Sequence, residues 1–128
     1  MQTIVHAPAG IYAPTADYVH ALEVRAPGRI LFVAGTMGLD PDGVPGPTLE
    51  AQLELVWDNI RAILAEAGMT VDHVVRVTSY LRDPADAEAN GAARVKALNG
   101  RAVPTTAIVA ATLEPGWLVE VEAVAVAP

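Results

Sequence analysis

Cysteine is absent from this 128-residue chain, which excludes a disulfide scaffold, a thiolate metal site and a cysteine nucleophile. Basic residues are scarce: 8 Lys and Arg stand against 15 Asp and Glu, for a net charge of -7. That balance lacks the electrostatic footprint of a nucleic-acid or anionic-membrane binder, so neither partner is expected. Long apolar runs are missing too, since Pro, Gly or a charge interrupts them every few residues, far short of a membrane span. Met1 to Gly10 has no basic stretch leading into an apolar core. No signal peptide is read there, and a cytoplasmic location is expected. No pairing of His with carboxylates has metal-ligand spacing, and Gly35-Thr-Met-Gly38 lacks the lysine and the context of a phosphate loop. Neither a metal nor a cofactor is therefore expected. What the chain does have is 52% apolar and 18% charged residues. That composition suits one ordinary domain, residues 1–128, with a real core.

Gly and Pro, 10 of each, fall at punctuation points. Tyr18 to Val24 and Arg29 to Ala34 read as two strands around the turn-forming Arg25-Ala-Pro-Gly28. A loop rich in turn residues, Asp40 to Pro47, follows. Leu49, Leu53, Val56, Ile60, Ile63 and Leu64 then recur at spacings of three and four, which predicts an amphipathic helix. Pro47 suits its first turn and Gly68 its C-terminal cap. Val71 to Leu81, rich in β-branched residues, reads as a strand. Asp83-Pro84 is a start signal for a second helix, which runs to about Leu98 and ends at Asn99-Gly100. Pro104 to Ala111 and Trp117 to Val126 read as the final strands, with Leu113 to Gly116 turning between them. The order ββαβαββ predicts an α+β domain with two helices on one face of the sheet.

The last strand is the most informative segment. Side chains alternate along it, so Glu120, Glu122, Val124 and Val126 share one side. A purely solvated face would not run on into two valines, so this face passes from an open cleft or interface into a core. Two helices cover only one face of such a sheet, and the other still carries apolar residues, among them Phe32, Val75, Val77, Ile108 and Val124. An exposed apolar sheet face predicts a homo-oligomer.

Several segments, in order and spacing, resemble one family. They are Tyr18 before the first strand, Phe32-Val-Ala-Gly-Thr36, the helix Gln52 to Gly68, and Val74-Val-Arg-Val-Thr-Ser-Tyr-Leu-Arg-Asp83. Asn90, Val103-Pro-Thr-Thr-Ala107 and Leu118-Val-Glu-Val-Glu-Ala-Val124 complete the set. Over nearly its whole length the chain resembles the Rid family of reactive intermediate deaminases, also called YjgF or endoribonuclease L-PSP. The resemblance implies a chorismate-mutase-like fold, a homotrimer around a central β-barrel, and ligand sites in clefts between subunits. It also implies hydrolysis of small imines and enamines, releasing ammonia and a 2-oxo acid.

Carried over residue by residue, the resemblance makes Glu120 the water-positioning glutamate and places Tyr18, Ala34, Gly35, Asn90 and Thr106 around the substrate. It also shows a departure. The family's carboxylate-clamping arginine is replaced here by Thr106, and the hydroxyl residue before the second-strand glycine by Ala34. One neutral hydroxyl cannot reproduce a bidentate grip on a carboxylate. Altered substrate anchoring is expected, and Arg94 or Arg101 could supply a substitute cation. His20, two residues after Tyr18 on the same strand face, is a further acid–base candidate. The leading expectation is a Rid-like hydrolase acting on a small imine, enamine or related metabolite. The alternative is a non-catalytic metabolite-binding trimer that kept the fold.

Overall fold

The computed structural model describes residues 1–128. Its central sheet has the order β3-β6-β4-β5, built from β3 (Arg29–Met37), β4 (Val74–Leu81), β5 (Thr105–Val109) and β6 (Val119–Ala127). A separate two-stranded ribbon pairs β1 (Gln2–His6) with β2 (Ala21–Arg25). The ribbon adds an element to the expected order. β1 escapes the sequence pattern because only Ile4 of its five residues is even partly buried, so no inward stripe marks it. The predicted first strand also starts late, at Ala21 rather than Tyr18, although Tyr18 makes an isolated bridge to Val103.

The long helix α1 (Leu49–Glu66) forms where its apolar spacing predicts, and it buries Leu53, Val56, Trp57, Ile60 and Leu64. Thr48, whose side chain accepts from Ala51 N, is its N-cap. Pro47 therefore lies one residue outside the cap rather than in the first turn. At the other end Gly68 adopts φ 68°, and Met69 N returns to Leu64 O, closing the helix as expected. Residues Val71–His73 form a 3-10 turn instead of the start of a strand. Asp83 caps a second 3-10 turn, Pro84–Asp86, so the helix predicted from Asp83-Pro84 begins later, as α2 (Ala87–Ala97). It ends at Asn99 and Gly100, both at positive φ.

Both helices pack on the mixed sheet, and one face supplies the core: Val74, Val77, Leu81, Val119, Val121 and Ala125 belong to one buried cluster with the apolar side of α1. Fully burying a side chain such as Ile60 or Leu64 contributes about 1.5–3 kcal/mol. β4 and β5 run parallel, joined through α2, while β6 is antiparallel to β3 and β4. None of the helices is long and apolar enough to cross a membrane.

The opposite sheet face has no helix over it. Phe32 is 77% exposed there, and Ile30, Ile108 and Val124 accompany it. Along β6 the half-buried Glu120, Glu122 and Val124 lead to the buried Val126, the predicted progression. Val77 breaks the expectation, because it is fully buried in the core. The reason is an irregularity in β4. Val74 pairs with Ala125 and Arg76 with Val124, so Val75 is one residue too many and lies outside the ladder. Such an insertion shifts the alternation by one. Val74 and Val77 both point into the core, and Arg76 takes the open face.

A candidate active site on the helix-free face

Three strands bring the chemistry together on this face. Glu120 stands opposite Tyr80 of β4 and Met37 of β3. Glu122 stands opposite Thr78, and Thr78 in turn pairs with Thr106 of β5. In β3 the regular pairing is interrupted between Val33 and Thr36, which leaves Ala34 and Gly35 as a bulge facing β6. The bulge matters because Gly35 has no side chain: a Cβ there would overlap Glu120 Oε2. Glycine at this position thus reserves room for the carboxylate.

Two hollows share this surface. One, about 210 Å³, is lined by Tyr80, Glu120 and Glu122 on one side and by Ala110, Thr112 and Leu113 on the other. The wall formed by that loop is fixed by Arg82, whose Nη1 donates to Thr112 O and Oγ1. Gln52, buried in α1, braces the following turn by donating to Gly116 O and accepting from Leu118 N. The other hollow, about 550 Å³, is lined by Phe32, Ala34, Arg76, Thr78 and Glu122. Tyr80 donates its hydroxyl hydrogen to Glu122 Oε1 at 2.6 Å. That bond, then desolvation and the charge of the two glutamates, holds the phenol above its ordinary value of 10.0.

Of the residues singled out from the sequence, Glu120, Ala34, Gly35 and Thr106 therefore meet on one face. Tyr18 and Asn90 line neither hollow of this chain. Asn90 is on the inner side of α2, 3% exposed, with its Oδ1 unpartnered. His20 is held between rings, edge-on to Tyr12 and Tyr18, and its Nε2 contacts the Tyr12 carbonyl at 2.8 Å. Neither predicted substitute cation is available. Arg94 donates to Asp17 O and Oδ2 at 2.8 and 2.7 Å, and Arg101 donates to the carbonyls of Val71 and Val74. The arginine that does reach the altered position is Arg76, whose Nη2 donates to Thr106 Oγ1 at 2.8 Å. Sequence reasoning passed over it. Its only signal is the i, i+2, i+4 set Arg76, Thr78 and Tyr80, which emerges when facing is counted back from Leu81.

A larger hollow, about 570 Å³, opens between α1 and α2, against Leu53, Trp57, Ala93 and Ala97. Its charged residues, Glu50, Glu54, Arg61 and Lys96, are exposed on the helix surfaces. Nothing there resembles the concentration of carboxylates, phenol and guanidinium on the sheet.

Comparison with known proteins gives a consistent picture. The model of a family described as Endoribonuclease L-PSP matches residues 8–127. Protein DfrA of Myxococcus xanthus is 39% identical over 89% of each chain. The RutC family protein YjgH of Escherichia coli is 40% identical over 60% of this chain, a match spanning 58% of that protein. Among solved structures, the Rid-family protein YyfB of Yersinia pestis superposes with a TM-score of 0.82 at 30% identity, covering 98% of this chain and 99% of that one.

Proposed function

Since the chain belongs to the endoribonuclease L-PSP family, we propose that it hydrolyses a small imine or enamine in the cleft beside Glu120. The observation that carries this reading is the Glu120 carboxylate held against the Gly35 bulge, at the edge of a hollow it shares with Tyr80 and Glu122.

The chemistry follows from that placement. An enamine first takes a proton from solvent on carbon and gives one up from nitrogen, becoming the imine. A water molecule adds its oxygen to the imine carbon, its proton passing to Glu120 while the nitrogen takes up a proton. Glu120 returns its proton to the amine and then takes the hydroxyl proton as the C–N bond breaks. Ammonia leaves behind a carbonyl product, and Glu120 releases to solvent a proton equal to the one the nitrogen took up. The imine carbon is already electrophilic, so positioning and one proton shuttle supply much of the acceleration.

The reading includes a homotrimer that closes the exposed face bearing Phe32 around a central barrel. Tyr18 then reaches the cleft from an adjacent copy, while Asn90 stays inside its own subunit. Light scattering should report three copies, and Phe32→Asp should reduce the mass to that of a monomer.

The test of the reaction is ammonia release from imino acids generated in place by an amino-acid oxidase. Native protein should accelerate release, and Glu120→Gln should lose roughly a hundredfold or more of that acceleration. Native protein without effect, or Glu120→Gln as active as native, would overturn the reading. Ligand binding retained by a native protein that never turns over would identify a binding protein instead.

A further inference from the structure

Replacing the clamping arginine of β5 with Thr106 leaves a question of charge, and the geometry of the neighbouring strand answers it. We infer that Arg76 supplies the cation that anchors the ligand, and that the ligand is therefore a small planar monoanion held over Thr106. This assignment rests on the hydrolytic reading for the reaction but not for the binding.

Three observations carry it. The first is position. Thr78 and Thr106 are register partners in the parallel pair, and Arg76 is the next residue back on the same face. Its guanidinium bridges from β4 to Thr106 Oγ1 and so overlies the site from which the arginine was lost.

The second is the set of partners. Every other arginine is satisfied by a carboxylate or a backbone carbonyl: Arg25, Arg61 and Arg94 by Glu23, Asp58 and Asp17, and the rest by carbonyl oxygens. Arg76 touches only a hydroxyl. In a chain with 15 acidic residues, a half-buried guanidinium without a carboxylate partner leaves the rest of its donor fork for something else. A planar fork of N–H groups matches the two oxygens of a carboxylate.

The third is the hollow itself. Its wall carries one cation, Arg76, and one carboxylate, Glu122, which is already engaged by Tyr80. Glu122 opposes a second negative charge, so a dianion is disfavoured. Phe32 offers an apolar wall and Ala34 leaves space, which suits a short aliphatic substituent.

The test measures binding separately from turnover. 2-Oxobutanoate and its methyl ester are titrated calorimetrically into native protein, Arg76→Met, and the exchanged pair Arg76→Thr with Thr106→Arg. Arg76→Met should weaken 2-oxobutanoate binding roughly tenfold to a hundredfold and leave the ester unchanged. The exchanged pair should restore the acid, because it returns a guanidinium to the same spot. Equal affinity of native and Arg76→Met for the acid would overturn the assignment, as would a native protein that binds only the ester. Turnover of imines without Arg76-dependent binding would refute the anchor and keep the hydrolase. Arg76-dependent binding without turnover would do the reverse.

Discussion

The carboxylate of Glu120 occupies the space that a side chain at Gly35 would need: a Cβ built there overlaps Oε2 and lies 2.9 Å from Cδ. Because the obstructing group is the end of a flexible side chain, Gly35→Ala should fold and move the carboxylate aside. A displacement of this size costs about a hundredfold in rate when positioning carries the catalysis. Thermal melting should stay near native while ammonia release falls. Native turnover in Gly35→Ala would remove Glu120 from the reaction.

Tyr80 reports on the same cleft through its own titration. Its phenol is held above 10.0 chiefly by the bond to Glu122. In Glu122→Gln the ultraviolet titration assigned to Tyr80, by difference with Tyr80→Phe, should shift down toward 10.0. A phenol whose folded value is raised contributes stability that is fully present below the unfolded value and is lost as pH rises through the folded one. Glu122→Gln should therefore flatten the alkaline loss of stability.

Asp17 works in the opposite direction. The Thr15 hydroxyl first, and Arg94 second, hold its carboxyl below the ordinary 3.8. Its contribution is complete above that value and disappears as pH falls through the depressed one. Asp17→Asn should lower stability at neutral pH by about 1 kcal/mol, a modest figure because the side chain is 40% exposed. Denaturant unfolding followed from neutral to acid pH should show the difference between native and variant closing.

Gln52→Leu tests the brace behind the cleft. The amide donates to Gly46 O and Gly116 O and accepts from Leu118 N. A leucine fills similar volume but orphans these backbone groups, at a cost of about 1–3 kcal/mol. Hydrogen exchange at Leu118 should quicken more than at Ile60, which lies in the same helix without touching the turn.

How far the sequence shows all this differs from element to element. α1 is plain because Leu53, Val56, Ile60 and Leu64 repeat without interruption and Gly68 closes its end, although the cap at its start is Thr48 and not the Pro47 turn read from the sequence. Glu120 can be placed on the open face because most of β6 alternates regularly, whereas β5 shows no alternation and Thr106 is picked out only by the family resemblance. Arg76 is hidden for a physical reason. Alternation counted forward from Val74 turns it into the core, and only the bulge at Val75, a property of pairing with β6, turns it out again. β1 lacks a buried stripe, so its pairing with β2 is tertiary information. The capture of Arg94 by Asp17, far away in sequence, is equally invisible along the chain.

The solitary guanidinium on this acidic surface also sets how ligands arrive. Within about a Debye length of the surface, ~8 Å at physiological ionic strength, an anion approaching from outside the hollow is repelled by the net charge of -7. Only inside the hollow does Arg76 prevail. Salt screens the distant repulsion more than the half-buried contact, so moderate ionic strength should speed capture. Proteins that draw ligands down a funnel of opposite charge slow under the same treatment. Here encounter is held back and retention is favoured, so selectivity resides in how slowly the right anion departs.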